Sequence, residues 1–171
     1  YPRYAQTCVD DFLWGGMENI TATTLTTETL HSARAHDTWD SRSESLVSHE
    51  LAHMWFGDLL TCRTWGQIWL NEGFASYYEA LWTREDDGED AFRAEMRDAI
   101  GWYKGEDAEY RRPVITESYA DADDLFDGHT YSKGARILYM LHEWLGDAVF
   151  RDGVKRYLTT HRHAPVTTDD L

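Results

Sequence analysis

The chain has 171 residues, of which 42% are hydrophobic, and carries 31 acidic against 16 basic residues for a net charge of −15. This length suits one domain with a sizeable core, and the hydrophobic content excludes a disordered chain. The negative charge argues against nucleic acid and anionic membranes as partners, because both would be repelled. It either attracts cationic ligands, such as the free α-amine of a peptide, or serves solubility alone. No apolar run approaches the roughly 20 residues of a membrane span.

The two cysteines and the chain ends carry little information about compartment. Cys8 and Cys62 are too few for a disulfide framework and form no C-x-x-C motif, so we interpret both as small buried thiols. The chain starts at Tyr1 and ends in TTDDL, which is typical of the first turn of a helix. We therefore expect a fragment of a longer protein, in which the lack of a signal peptide means little.

The first forty residues are predicted to be mainly β-strand. The segments 4–12 and 21–30 are rich in β-branched and aromatic residues and lack a long helical period. Between them, the segment 13–20 carries the pair Gly15 and Gly16, which indicates a sharp bend or a close approach of backbone.

After residue 40 the pattern becomes helical. Ser41 or Ser43 is a candidate N-cap for a helix over 45–57, in which Gly57 is a plausible stop. An irregular connection follows. Further helices are predicted over about 67–84, 91–103, 131–145 and 147–161, the last two separated by Gly146. Strands followed by helices predict an α+β fold.

The first predicted helix carries a metal-binding pattern, because residues 49–53 read HELAH. His49 and His53 lie about 40° apart around a helix axis and about 6 Å apart along it, so both imidazoles can reach one zinc ion. Glu50 leaves the helix in another direction, which favours contact with a metal-bound water. The pattern also occurs by chance on solvated helices. Here the apolar residues within 46–56 predict a buried helix, where unpartnered His and Glu would be costly.

A third ligand is expected on the next helix. Catalytic zinc sites usually have three protein ligands and one open position. Glu72, in WLNEGFASYYEAL, is the candidate because antiparallel packing of the two helices would bring it beside the histidines. Glu79 follows two helical turns later on the same face, and either hydrogen-bonds a ligand histidine or is a solvated side chain.

Several separated motifs together resemble the aminopeptidase N family of zinc metallopeptidases, gluzincins with a thermolysin-like catalytic domain. HELAHMWFGDLLT followed by WLNEGFASYYE is similar to the family's zinc motif and downstream zinc glutamate, with eighteen residues between His53 and Glu72. GGMEN at 15–19 resembles the family's exopeptidase signature, and TYSKGA at 130–135 resembles the segment with its catalytic tyrosine. The motifs follow the family's order over nearly the whole chain.

The resemblance implies one Zn²⁺ per chain, held by His49, His53 and Glu72. It implies that Glu50 is the general base, which takes a proton from zinc-activated water and passes it to the leaving amine. It also implies that Tyr131 hydrogen-bonds the oxyanion. Apart from its motif, this residue is one of ten tyrosines with nothing to distinguish it from a core or surface side chain.

The resemblance further implies a role for each part of GGMEN. Glu18 would bind the free α-amine of a peptide substrate, so that only the first peptide bond meets the zinc. Gly15, Gly16 and Met17 would line the substrate backbone like an added strand, and Asn19 belongs to the same motif. Without the zinc motif, an ordinary hairpin turn would be the preferred interpretation of this segment.

By this resemblance residues 1–171 are a partial catalytic domain, with 1–40 mainly strands and 41–171 mainly helical and carrying the zinc site. The family's flanking β-rich and helical domains are expected to be missing from this chain. The predicted activity is removal of the N-terminal residue from peptides with a free N-terminus. The alternatives are a thermolysin-like endopeptidase, which needs no amine anchor, an epoxide-hydrolysing relative, and a binding scaffold, which should have lost Glu50, a ligand or Tyr131.

The remaining histidines and the tryptophans are expected to be structural. Six histidines show no ligand spacing, and His129 alone is expected near the site because Tyr131 is close in sequence; the six are His31, His36, His129, His142, His161 and His163. Five tryptophans recur on predicted helices and are interpreted as core residues: Trp55, Trp65, Trp69, Trp82 and Trp144.

Overall fold

The N-terminal residues form a three-stranded sheet. The structure, a computed structural model, describes residues 1–38 and 43–171. Strand β1 (Ala5–Val9) pairs in parallel with β3 (Ala22–Thr26), and β3 pairs antiparallel with β2 (Gly16–Met17). The strand order β1-β3-β2 makes β2 an edge strand of this described sheet.

A sharp bend precedes β2, as the paired glycines predicted. Gly15 has a φ of +78°, in the left-handed region that glycine adopts without strain. Its carbonyl accepts a hydrogen bond from the Thr26 amide at 2.7 Å, and the Asn19 carbonyl accepts one from the Ala22 amide at 2.8 Å. These bonds hold β2 against β3 and turn the chain between them.

Helices make up most of the rest of the described chain. Their bounds are α1 (Ala33–Thr38), α2 (Ser43–Ala52), α3 (Trp69–Asp86), α4 (Glu89–Glu109), α5 (Gly134–Leu145) and α6 (Asp147–Thr160). A π-helical turn, His129–Lys133, leads directly into α5. Two short strands, β4 (Thr61–Cys62) and β5 (Pro165–Val166), pair in parallel. Strands first and helices after confirm the predicted α+β class.

Helix α2 ends at Ala52, five residues before the predicted stop at Gly57. Beyond Ala52, the amides of Met54 and Trp55 bond carbonyls three residues back instead of four, at 3.1 and 3.0 Å. Such bonds tighten the chain out of the α-helix. His53 therefore lies on the turn that follows α2.

Other predicted boundaries also shift. Ser41 and the boundary between residues 40 and 41 lie outside the described residues, and Ser43 is the first residue of α2. The helix predicted over 91–103 extends over all of α4, because Gly101 and Gly105 are tolerated inside it. Helix α1 and the pairing of β4 with β5 were not predicted.

Helix α3 is the central helix of the core. Phe74, Ala75 and Ala80 are fully buried, and the Phe74 ring stacks on that of Phe56 with 4.2 Å between centroids. The helix packs against α2, α4 and α5. Glu72, in the first turn of α3, is therefore carried by a helix that is held by three neighbours.

Most of the tryptophans are not core residues, which corrects the prediction. Trp69 is buried, whereas four others are between 41% and 84% exposed: Trp55, Trp65, Trp82 and Trp144. Trp82 and Trp144 lie on the solvent-facing sides of α3 and α5, whereas Trp55 and Trp65 lie outside the α-helices, so predicted helical spacing did not distinguish the buried ring from the exposed ones.

Both cysteines were predicted to be buried, and neither is. Cys8 and Cys62 are both free and half-buried, on the short strands β1 and β4. Within residues 1–38 and 43–171, no helix is long and apolar enough to cross a membrane.

Candidate active site

Three side chains with metal-binding atoms converge where α2 meets α3. His49 lies in the last turn of α2, His53 just beyond its end, and Glu72 in the first turn of α3. His49 Nε2 and His53 Nε2 are 3.2 Å apart, and they lie 3.3 and 3.2 Å from Glu72 Oε2. Among the described residues, this is the single such group that could hold a metal ion. We call it the metal cluster.

The spacing of these three atoms fits a tetrahedral metal ion. Ligand atoms about 2.0–2.1 Å from zinc, at tetrahedral angles, lie roughly 3.3 Å from one another. The observed separations of 3.2, 3.2 and 3.3 Å match that edge length. Two imidazoles and one carboxylate would leave a fourth position open.

The other nitrogen of each imidazole is held by a hydrogen bond. His49 Nδ1 lies 3.0 Å from Glu79 Oε2, and His53 Nδ1 lies 2.8 Å from the Phe56 carbonyl oxygen. Both partners accept hydrogen bonds, so each Nδ1 donates and each Nε2 is left free to bind a metal. Of the two interpretations of Glu79, the contact with a candidate ligand is confirmed.

Electrostatics show that the metal cluster requires a positive charge. Burial opposes ionisation of Glu72, but its contacts with His49 and His53 outweigh burial and lower the carboxyl pKa to about 2. Burial likewise opposes protonation of His49, yet Glu72 and Glu79 raise its pKa to about 10. The buried carboxylate thus demands a cation beside it, which is either a proton on an imidazole or a metal ion in its place.

Glu50 is buried against the edge strand β2. It is 5% exposed, and its Oε2 has no hydrogen-bond partner among the described residues. Burial raises the carboxyl pKa to about 7, although His49 and His53 act against the rise. A Cβ atom at Gly16 would overlap the Glu50 carboxylate. The glycine therefore makes room for Glu50, a reason that the sequence did not reveal.

Tyr131 faces the same space from the π-helical turn, and such turns often occur at functional sites. Its ring lies 6.1 Å from that of His49 and is nearly parallel to it, at 26°. Burial raises the pKa of its hydroxyl, and the carboxylates of Glu72 and Glu18 add to the rise. The hydroxyl therefore stays protonated and is available as a donor.

The GGMEN residues divide into two groups. Gly16, Met17 and Glu18 line the cavity at the metal cluster, and Glu18 Oε1 lies 3.8 Å from His53 Nδ1. Gly15 and Asn19 are not among the lining residues. Gly15 forms the bend, and the Asn19 amide donates to the Thr24 hydroxyl at 3.0 Å.

The cavity in front of the metal cluster has a volume of about 890 Å³. Part of its wall is aromatic: the Trp65 and Phe126 rings lie 6.2 Å apart, and the Phe126 and Tyr131 rings lie 6.4 Å apart. Sequence reasoning missed Phe126 and assigned Trp65 to the core. The sequence indicated their position only through proximity to predicted site residues: Phe126 precedes Tyr131 by five residues, and Trp65 precedes Glu72 by seven.

His129 does not face the cavity, although it was expected near the site. It is fully buried, with Nδ1 3.2 Å from Asp127 Oδ2 and Nε2 3.4 Å from Asp107 Oδ1. Arg112, which is 5% exposed, donates from Nε to Asp127 Oδ2 at 2.8 Å. We call these four residues the Arg112 cluster. Its charges are paired within it, so it shows no open position for a ligand.

Comparison with known proteins identifies a family for this chain. The model of the peptidase family M1 domain matches residues 1–171. Aminopeptidase A of Gloydius brevicauda is 35% identical over 99% of this chain and 18% of its own length. Aminopeptidase N of Streptomyces lividans is 33% identical over 100% of this chain and 21% of its own length. The chain thus spans about a fifth of the length of these curated relatives.

Solved structures also superpose on this chain. Native leukotriene A4 hydrolase from Saccharomyces cerevisiae superposes with a TM-score of 0.84 at 26% identity, covering 97% of this chain and 27% of that one. A mutant of an M1 zinc metallopeptidase from Deinococcus radiodurans, bound to a Tyr-Ser-Ala substrate, superposes with a TM-score of 0.73 at 30% identity. The match covers 98% of this chain and 34% of that one. The chain therefore belongs to peptidase family M1, as its resemblance to the aminopeptidase N family predicted.

Proposed function

We propose that this chain is a partial catalytic domain of a zinc aminopeptidase, which removes the N-terminal residue from peptides with a free N-terminus. One observation carries the proposal: three ligand atoms 3.2–3.3 Å apart line one cavity together with Glu50, whose Oε2 has no hydrogen-bond partner among the described residues. A cluster with this donor set is suited to a hydrolytic zinc site.

Zinc is the metal that this donor set favours, at one ion per chain. His49, His53 and Glu72 would hold it, and the two imidazole nitrogens and one carboxylate oxygen are borderline ligands that suit Zn²⁺. The fixed Nδ1 positions support this role, because they pre-orient both rings. The D. radiodurans neighbour is itself named a zinc metallopeptidase.

The chemistry divides between the metal ion and two side chains, Glu50 and Tyr131. When bound, zinc would lower the pKa of a water molecule to about 7 and polarise the scissile carbonyl. Glu50 then accepts the water's proton and passes it to the leaving amine, a role suited to a carboxyl whose pKa burial raises to about 7. The Tyr131 hydroxyl donates a hydrogen bond to the carbonyl oxygen as negative charge develops on it.

Glu18 makes the enzyme an exopeptidase in this proposal. Its carboxylate lines the cavity beside His53 and carries the charge that a substrate's α-amine requires. The edge strand β2 supports the proposal because its backbone is free to pair with an extended peptide. The D. radiodurans relative, bound to a tripeptide, supports peptides as the substrate class.

We also propose that residues 1–171 act together with further domains, β-rich and helical, of a longer protein. The relatives extend well beyond the matched segment, since it covers 18% and 21% of their lengths. Trp65, which lines the cavity, is half exposed, so further parts of such a protein could cover it and contribute to substrate choice.

A panel of fluorogenic amino-acid amides tests the proposal on the full-length protein. We expect turnover that a chelator abolishes and added zinc restores. Glu50→Gln should keep one zinc per chain and lose about 10²–10⁴-fold in kcat, because the general base is removed. Glu28→Gln, an exposed residue outside the cavity, is the matched control. Full-rate hydrolysis by the Glu50 variant would sink the mechanism.

Acetylated peptides separate the exopeptidase from two of its alternatives, the endopeptidase and the scaffold. Blocking the α-amine should abolish cleavage if Glu18 anchors it. An endopeptidase would cleave blocked and free peptides alike, and a scaffold would cleave neither. Glu18→Gln should raise KM for free peptides, because an amide does not pair with the ammonium as a carboxylate does.

A further inference from the structure

Helices α3 and α5 touch backbone to backbone at two glycines. A Cβ atom built on Gly73 would lie 2.9 Å from Gly134 Cα and 3.1 Å from its carbonyl carbon. A Cβ atom on Gly134 would lie 2.9 Å from Gly73 Cα. Both glycines have ordinary helical backbone angles, and Gly134 has φ −56° and ψ −53°. Close approach, not backbone conformation, therefore requires glycine at both positions.

This contact lies between two parts of the candidate active site. Gly73 directly follows Glu72, and Gly134 directly follows the π-helical turn that carries Tyr131. The Gly134 amide donates to the Tyr131 carbonyl. A Cβ at Gly73 would also lie 3.4 Å from the Thr130 carbonyl oxygen, so the same contact seats the turn on α3.

We propose that Gly73 and Gly134 are positioning residues, whose contact sets the distance between the Tyr131 hydroxyl and the metal cluster. The inference rests on the proposed function, in which that hydroxyl donates to the developing oxyanion. Such a donor must lie about 2.7–3.1 Å from its target. A methyl group at the contact would push α5 and the turn away from α3 and take the hydroxyl out of that range.

The other end of the π-helical turn is held by hydrogen bonds, so it cannot move to compensate for this shift. Asp127 Oδ1 accepts hydrogen bonds from the amides of His129 and Thr130, each at 3.0 Å. Arg112 donates to the Thr130 hydroxyl at 2.9 Å. With the start of the turn held, a displacement at Gly134 falls on the residues between, which include Tyr131.

Gly134→Ala in the full-length, zinc-loaded protein tests the inference. We expect kcat to fall about 10–100-fold, because a displacement of about 1 Å can cost 10²-fold in rate, with KM nearly unchanged and one zinc still bound. Gly101→Ala is the matched control, since its Cβ would meet nothing within 4 Å inside α4. It should keep wild-type kcat. Wild-type kcat in Gly134→Ala would overturn the inference.

A double-mutant cycle with Tyr131→Phe separates positioning from general damage. With the hydroxyl already removed, Gly134→Ala should cost no further activity. The same pattern should appear in calorimetric binding of a peptide phosphinate, whose anionic oxygen replaces the oxyanion: each single variant binds weakly, and the double variant binds no worse. Equal losses in both backgrounds would contradict the inference.

The remaining outcomes also test the inference. If Gly134→Ala does not fold, Gly73→Ala places the methyl group on the other helix. This variant then replaces Gly134→Ala in the double-mutant cycle with Tyr131→Phe. Failure of both variants to fold would overturn the inference, because the contact would then serve the whole fold. An inactive wild-type protein would instead refute the proposed function, and the two failures are therefore distinguishable.

Discussion

The metal cluster and the Arg112 cluster are both buried and both approach the segment around Tyr131, but their charges are arranged in opposite ways. In the Arg112 cluster each acceptor meets a donor: the Asp127 carboxylate receives the Arg112 guanidinium and the amides of His129 and Thr130. In the metal cluster three acceptor atoms point at one another, with their outer donors already used.

The difference shows how to distinguish a structural polar cluster from a binding site. A buried network that pairs its own charges stabilises a local conformation and needs nothing further. A cluster whose acceptors converge without a donor is incomplete until a cation joins it. Four predictions test this contrast.

The largest effect is expected when the metal cluster loses its charged ligand through Glu72→Gln. Zinc binding to small sites is worth roughly 10–16 kcal/mol, so one of three ligands contributes several kcal/mol and its loss costs about a thousandfold or more in affinity. Competition with a chromophoric chelator measures it. Glu85→Gln, on the exposed face of the same helix, should bind zinc normally. Unchanged affinity in Glu72→Gln would show that the cluster is not the metal site.

Asp127→Asn should break the Arg112 cluster. It leaves the buried guanidinium without its carboxylate, and breaking such a pair costs about 3–5 kcal/mol in the free energy of unfolding. Urea denaturation measures the loss. The control is Glu89→Gln, which breaks an exposed pair with Arg93 and should cost less than about 1 kcal/mol. Equal effects of the two variants would refute the contrast between buried and exposed pairs.

Glu79→Ala should weaken zinc binding without abolishing it. Its carboxylate orients His49 from outside the cluster, and loss of such a partner typically costs 10–100-fold in metal affinity. The same chelator competition applies, with Glu85→Ala as the reference. An affinity equal to that of the reference would mean that Glu79 is only a surface contact.

The smallest effect is expected in how the stability contributed by the Arg112 cluster depends on pH. Burial opposes ionisation of Asp127, but Arg112, the Thr130 amide and His129 outweigh it and hold the pKa below its usual value. The carboxylate therefore contributes stability above the unfolded pKa of about 3.9, which is lost as pH falls through the lower folded pKa. The difference in unfolding free energy between wild type and Asp127→Asn should stay constant from pH 7 to 5 and shrink below about pH 4. A difference that does not shrink at all as pH falls from about 5 to about 2 would contradict this assignment.

The sequence by itself determined the local part of the candidate site. One helical turn fixes the spacing of His49 and His53, and covalent neighbourhood fixes Glu50 beside them. Glu72 followed from its motif on the next helix, and the bend at Gly15 from glycine chemistry. The α+β order of elements likewise followed from patterns within short windows.

Only the tertiary structure decided which distant residues meet. Gly16 makes room for Glu50, Gly73 meets Gly134, and Arg112 pairs with Asp127. The exposed tryptophans and the early end of α2 were equally unpredictable. Each depends on which face another element covers, and periodicity reports only that a face exists. Close backbone approach and charge pairing arise between elements, so they appear only once the helices are packed.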